Sequence, residues 1–369
     1  MTNIVFYTVI AFLISYLITT LIVRNKFIYE FFGFDDRLHE VQKIHTAPVP
    51  RVGGLAIFLS FSAAILMIQY LTITNLKIGA VIIVGSLLTF LIGLIEDITK
   101  RISVKTRLLI IFISAFVTVV FLKSTLHSIG VSLIDDWLLI PIVSLFFTCF
   151  AITGIANAFN IVDGLNGLSS GSSIIILIGF TVISYFVGDS ELVVIALILT
   201  AAILGFMLWN YPKGLIFLGD GGAYFIGFIL AVMSILLVER HHNVSPWFPF
   251  LLIYYPIIET LFTIFRRQIV SKSNVGQPDS EHLHQLIYKS LIFKSKKSNI
   301  DNKEKVKFNS MTTIYLWGYN LMAVIPACIY FNNTPYLKVT ALINLAFYVL
   351  IYMKINLYNK KSPLNVSIK

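Results

Sequence analysis

Eleven apolar stretches run through this chain almost from end to end: 4–23, 54–73, 78–95, 108–122, 137–156, 170–187, 191–209, 221–238, 246–265, 311–330 and 336–353. Each approaches the ~20 residues that a helix needs to cross the hydrocarbon core of a bilayer. Lipid offers the backbone no hydrogen bonds, so such runs predict helices, which satisfy their own. The sequence therefore predicts an all-α polytopic membrane protein of about eleven transmembrane helices, built as a single membrane-embedded domain over residues 1–369. Composition agrees: 12% of the 369 residues are charged, about half the share of soluble domains. The first run starts at Ile4 without a basic leader and reads as a retained span rather than a signal peptide. Cys149 and Cys328 both lie in apolar runs, which excludes a disulfide scaffold.

The formal net charge of +10 would raise the question of nucleic acid in a soluble protein. Here no recognition motif accompanies it, and the positions of the charges explain it differently. Of 28 lysines and arginines, 24 fall in the connections 24–53, 96–107, 157–169, 210–220 and 266–310 and in the tail from Lys354. Only Lys77, Lys123, Arg240 and Lys338 lie on the other side. Basic loops stay in the cytoplasm, so the N-terminus is predicted outside and the C-terminus inside. Within the long cytoplasmic loop 266–310, the part 289–310 is rich in Lys, Ser and Asn and is expected to be a mobile, solvated segment near anionic lipid heads.

Polar clusters that an anchor would not need all map to that cytoplasmic side. Glu96 and Asp97 end the third run ahead of Lys100 and Arg101. Adjacent carboxylates there suit a hard cation or proton abstraction, although a solvated helix end would look the same. Asn157, Asn160 and Asp163 recur at intervals of three and share a helix face, followed by Gly164 and Gly167. They supply oxygen ligands for Mg²⁺ and hydrogen bonds for a sugar or base. Asp220 stands among glycines in Phe217-Leu218-Gly219-Asp220-Gly221-Gly222, where it can cap a helix, hold a metal, or both. His282 and His284 follow Asp279 and Glu281 in a loop carrying Arg266 and Arg267, a setting that suits diphosphate. His45 and Arg51 flank a rigid Pro48-Val49-Pro50 turn and either face a phosphate or simply anchor the chain. Glu259, three residues after Pro256, is an intramembrane acid and so a functional candidate, with helix packing as the equal alternative. Asp135, Asp136, Asp189 and Glu191 map to the opposite side and read as helix-end charges.

Taken in order, H-x-x-P-V-P-R-x-G-G from His45, the acidic pair, N-x-x-N-x-x-D-G-x-x-G-L from Asn157, F-x-G-D-x-G from Phe217 and the late H-L-H resemble the polyprenyl-phosphate N-acetylhexosamine-1-phosphate transferases. The likeness covers Lys43 to His284 and is nearer the undecaprenyl-phosphate N-acetylglucosamine-1-phosphate transferase branch than the phospho-MurNAc-pentapeptide translocase branch. It implies a multi-pass enzyme of the bacterial cytoplasmic membrane with its active site facing the cytoplasm. Such an enzyme transfers sugar 1-phosphate from a UDP-N-acetylhexosamine to undecaprenyl phosphate, releasing UMP and starting an envelope polysaccharide such as O-antigen. Mg²⁺ or Mn²⁺ would be required, and a homodimer is compatible with the likeness.

By the same resemblance, Asp220 and, more weakly, Asn157 would hold the metal. Asp97 would deprotonate or orient the acceptor phosphate with support from Glu96. Asp163, Asn160 and Asn166 would bind the donor, Phe217 would stack near uracil, and His45, Arg51, His282 and His284 would contact phosphates. A covalent route through Asp97 or Asp163 is an open alternative. Three positions depart from the family pattern: Glu96 and Glu259 stand where Asp is usual, and Gln285 where a third histidine is usual. Glu96 and Gln285 motivate the reading as a non-catalytic envelope-assembly scaffold. A secondary transporter is the other alternative, but transport predicts ionisable groups near the bilayer midplane and internal repeats, and here the acids gather at one surface.

Overall fold

The computed structural model describes residues 2–25, 49–71, 77–270, 279, 281–295 and 300–361. Among these every regular element is helical. The helices are α1 (Thr2–Arg24), α2 (Gly53–Leu71), α3 (Lys77–Thr99), α4 (Val104–Leu122), α5 (Ser132–Leu138), α6 (Pro141–Val162) and α7 (Leu168–Phe186). They continue as α8 (Ser190–Asn210), α9 (Gly219–Arg240), α10 (Trp247–Leu252), α11 (Tyr254–Phe265), α12 (Leu283–Lys294), α13 (Asn302–Ile329) and α14 (Thr334–Lys361). Ten of them, all but α5, α10, α11 and α12, are long and apolar enough to cross a membrane.

The ninth apolar run forms two helices, α10 of 6 residues and α11 of 12, neither long enough to cross alone. Pro256 is the cause. It has no N–H for the Leu252 carbonyl and its ring crowds that group, and α10 ends at Leu252, with Ile253 at φ −94°, ψ 15°. Both pieces pack against α13. The start of α1 and the end of α14 lie at opposite ends of the bundle. Arg24, closing α1, lies over the Trp209 ring near the end of α8, so Thr2 is at the far end. Near the end of α14, the Asn359 amide donates to the Leu286 carbonyl of α12 at 3.0 Å.

At the centre stands α9, buried from Gly219 to Val238 except at Ser234 and wrapped by α2, α3, α6 and α7. Phe58 of α2 stacks on Phe90 of α3 at 4.3 Å, and Phe225 of α9 meets Phe58 edge-on at 5.2 Å. Aromatic pairs of this kind add about 0.5–1.5 kcal/mol each beyond area burial. Nearer the first turn of α9 the packing is backbone on backbone: a Cβ at Gly54 would lie 2.3 Å from the Gly222 Cα, and one at Gly93 2.5 Å from the Gly221 Cα. Glycine contacts let α2 and α3 close on α9, since helices in lipid associate by close packing rather than by expelling water. The outer faces are apolar, with Phe121, Phe150, Phe186 and Leu350 exposed, as a lipid-facing surface requires.

Segment 289–310, expected as a mobile loop, is largely helical where it is described. α12 buries Leu283, Leu286, Ile287 and Phe293 against α13 and α14, an apolar stripe too short to read as a span. Asp301 then caps α13, accepting the Glu304 N–H at 2.7 Å, so that helix starts nine residues before the apolar run at 311.

Candidate active site

One end of the bundle gathers the starts of α2, α4 and α9, the ends of α3 and α6, and α12. Backbone pairing brings the Pro50–Gly54 segment onto the Phe217 motif: the Phe217 N–H donates to the Pro50 carbonyl at 2.8 Å, Gly53 to Phe217 at 2.9 Å and Gly54 to Leu218 at 2.8 Å. Arg51 is thereby carried over the first turn of α9. His45 lies outside the described residues.

Asp97 supplies what α9 lacks. No side chain of its own segment caps this helix, which leaves orphan N–H groups at its start. The Asp97 carboxylate, from α3, accepts the Asp220 N–H on Oδ1 and the Gly221 N–H on Oδ2, both at 2.9 Å. Negative charge there also faces the positive end of the helix dipole. Gly219 makes the approach feasible. Its φ is +78°, and a Cβ would fall 2.0 Å from the Arg51 carbonyl oxygen and 2.6 Å from Asp97 Oδ2.

Asp220 sits one residue inside the helix, so it is free of capping duty. Its carboxylate meets two cations: Arg107 of α4 hydrogen-bonds Oδ2, and Arg51 Nη2 lies 3.6 Å from Oδ1. Arg51 also reaches Asp97, with Nε 3.9 Å from Oδ1. Arg107 was missed by sequence reasoning. The available signal was a cation in the first turn of α4, directly before its apolar run, at a site end already rich in carboxylates.

The acidic pair is split. Neighbours on a helix point about 100° apart, and while Asp97 faces α9, Glu96 turns to the following loop, where Oε2 accepts the Ile102 N–H at 2.7 Å.

Asn157 and Asn160 end α6 half-buried and make no side-chain hydrogen bond among the described residues. Asp163 follows as the residue after the helix, half-buried as well. Burial pushes its carboxyl up to about 7, with Arg51 lowering it, Asp220 raising it and the Gly219 N–H lowering it. Asn166 is in a different setting. It is buried, its amide donates to the Pro212 carbonyl at 3.0 Å, and its own N–H and C=O are taken by Asn309 and Thr313 of α13. Phe217 is half-buried beside the first turn of α9.

His282 and His284 are brought close by α12. Their rings stack at 5.4 Å and 6°, and His284 presses on the Asn-Asp loop so closely that a Cβ at Gly164 would lie 2.4 Å from its Nε2. Burial holds the His284 imidazole down at about 3, reinforced by His282 and opposed by Glu259 and Asp279. It is therefore neutral at physiological pH. Gln285, in place of a histidine, has its own use: Oε1 accepts the His282 N–H at 3.2 Å.

The described residues contain no cluster of three or more His, Cys, Asp and Glu side chains placed to hold a metal. The oxygen donors at this end are the Asp220 carboxyl, the Asp163 carboxyl near enough to feel it, and, at the end of α6, the Asn157 and Asn160 amides, which make no side-chain hydrogen bond among the described residues. That set fits Mg²⁺ or Mn²⁺, hard ions that take one or two carboxylates and complete their shells with substrate phosphate and water.

The glycosyl transferase family 4 profile matches residues 79–238, which hold three of the motif clusters. A probable undecaprenyl-phosphate N-acetylglucosaminyl 1-phosphate transferase of Bacillus subtilis is 31% identical over 284 residues, 75% of this chain and 76% of the relative. The undecaprenyl-phosphate alpha-N-acetylglucosaminyl 1-phosphate transferase of Thermotoga maritima is 30% identical over 250 residues, 68% of this chain and 72% of its own length. Its counterpart in Escherichia coli is 29% identical over 261 residues, 68% of each chain. With this likeness spread over most of its length and its motif residues gathered at one end of a multi-pass bundle, the chain belongs to glycosyl transferase family 4.

Proposed function

We propose that this protein transfers N-acetylglucosamine 1-phosphate from UDP-N-acetylglucosamine to undecaprenyl phosphate at the cytoplasmic face of the bacterial cytoplasmic membrane. The products are UMP and a lipid-linked sugar diphosphate, and the step would initiate an envelope polysaccharide. The observation that carries the reading is the meeting of Asp97, Asp220, Arg51 and Arg107 beside Asp163, which follows the helix that carries Asn157 and Asn160. The printed names of the relatives supply the acceptor lipid and the sugar. The lysine and arginine bias supports a cytoplasmic site.

Attack by a lipid phosphate oxygen on the sugar-linked phosphorus of the donor brings anions together. Catalysis then consists of neutralising charge and fixing geometry. Asp220 and Asn157 would hold Mg²⁺, with Mn²⁺ as a substitute, and the ion, when bound, supplies positive charge to the diphosphate and Lewis acidity at its oxygens. Arg51 and Arg107 offer guanidinium donors to the phosphates, a fork geometry suited to them. Of the two roles open to Asp97, orienting is favoured over deprotonating. Both of its oxygens already accept N–H groups of α9, so it fixes the turn that presents Asp220. Asp163 and Asn160 face the donor, and Phe217 offers its ring to the base. Asn166 would act one step back, holding the loop that carries Asp163. His282 and His284 reach the diphosphate from α12.

The test is UMP release by purified protein in detergent with undecaprenyl phosphate, Mg²⁺ and a panel of UDP-N-acetylhexosamines. Release that needs lipid and metal and is fastest with UDP-N-acetylglucosamine is expected. No release with any donor from folded protein would overturn the reading in favour of a scaffold.

A further inference from the structure

Glu259 of α11 has no solvent exposure, and a carboxylate in such a place is costly unless its oxygens are met. They are met three times. Oε1 accepts from His282 Nδ1 at 3.1 Å and from the Leu283 N–H at 3.1 Å, and Oε2 accepts the Tyr348 hydroxyl at 3.0 Å. The donors come from the start of α12 and the middle of α14. A carboxylate only accepts, so the contact requires the hydrogen of His282 to be on Nδ1 and fixes the ring with Nε2 on its far side, 3.9 Å from Asp279 Oδ2. Thr263 Oγ1 also lies 3.2 Å from Nδ1. Within this arrangement Glu259 is fully buried and has no surface of its own to offer a substrate. Everything in it decides where His282 points and where α12 begins.

We propose that Glu259, seconded by Tyr348, is the positioning residue of the His-Leu-His segment. It sets the tautomer and orientation of His282 and anchors the N-terminus of α12, and through the ring stack it places His284 against Gly164. The catalytic consequence rests on the transfer reading above, because the diphosphate that His282 would meet belongs to that reaction. The clamp itself does not depend on it.

Glu259→Gln is nearly isosteric but replaces one acceptor oxygen with an NH₂ group. Its kcat is expected to fall at least about tenfold with KM for the lipid changed less than about twofold, because orientation matters most in the transition state. Glu259→Asp keeps the acceptor chemistry and should return kcat to within about threefold of wild type. On a His282→Gln background, Glu259→Gln should cost no more than about a further twofold, as expected of residues acting through one another. A full additive loss would overturn the proposal, since a residue that only stabilises packing acts independently of His282.

A second readout does not need turnover. In ¹⁵N-histidine-labelled protein, the His282 ring signals, assigned with His282→Gln, should move in Glu259→Gln and return in Glu259→Asp. Unmoved signals overturn the clamp. Moved signals in a protein that transfers nothing would uphold the clamp and overturn the proposed reaction. If Glu259→Gln does not fold, Tyr348→Phe, which removes one hydroxyl, carries both readouts at smaller amplitude.

Discussion

Asp189, at the end of the bundle away from the candidate site, and Asp163, at the site end, are both aspartates beside the end of a membrane-spanning helix. Asp189 caps α8. Its carboxylate accepts the Leu192 N–H at 3.0 Å and meets Arg240 Nη1 and His241 Nε2, each at 3.1 Å. Burial works against the charge, but the hydrogen bonds of Leu192, His241 and Arg240 outweigh it and hold the carboxyl below its usual range. Asp163 experiences the opposite balance: burial dominates, and the carboxyl rises to about 7. The contrast extends to the neighbours. Glu239 pairs with His127 and Glu191 with Arg240 at the far end, whereas the amides of Asn157 and Asn160 make no side-chain hydrogen bond among the described residues. A fully paired carboxylate has spent its bonding capacity on the fold. An underpaired one keeps capacity for a ligand, at a cost in stability.

The strongest way to break the site end without touching a charge is Gly219→Ala. A left-handed φ costs a Cβ-bearing residue about 1–2 kcal/mol, and this Cβ would also enter the space of the Arg51 carbonyl and Asp97. Transfer is expected to fall more than about a hundredfold, an orientation effect, while circular dichroism stays helical.

Asp163→Asn sharpens the contrast through pH. The folded-state pKa lies above the unfolded value of 3.8, so between the two the folded protein binds more protons and loses stability as pH rises. Removing the titration should therefore raise the thermal midpoint over wild type at pH 8, with the gain gone by about pH 4, and should lower transfer. The same exchange at Asp189, whose pKa is lowered, should destabilise at pH 8. Equal midpoint changes at the two positions would erase the distinction.

The smallest effect expected is that of Gln285→Ala. It removes the acceptor for the His282 N–H and should cost about 1 kcal/mol of local stability, seen as faster hydrogen exchange at the start of α12 and a few-fold loss of transfer.

Apolar run length made the helical passes legible, and Pro256 marked the break between α10 and α11, because both are local properties. The motif residues were legible as a set. Their partners were not. That Asp97 caps α9 and Arg107 pairs with Asp220 depends on contacts 123 and 113 residues apart in sequence, which no spacing records. Glu259 read equally as functional or as packing, and the three donors that meet it come from distant parts of the chain and so left no mark in its own segment. α12 escaped notice because its stripe of Leu283, Leu286, Ile287 and Phe293 is short and flanked by lysines. Asn166 read as a ligand from its motif; that its amide also donates to the Pro212 carbonyl is again a contact that no spacing records.

The central claim is that one end of this bundle performs chemistry and the other only holds it together. The direct test measures UMP release by Asp220→Asn and Asp189→Asn proteins side by side, with saturating undecaprenyl phosphate, UDP-N-acetylglucosamine and Mg²⁺. Turnover reduced by about a thousandfold or more for Asp220→Asn, and within about threefold of wild type for Asp189→Asn, is the predicted result, on the scale expected for losing a charge that acts on the transition state. Wild-type turnover by Asp220→Asn, or an equal loss in both, would contradict it.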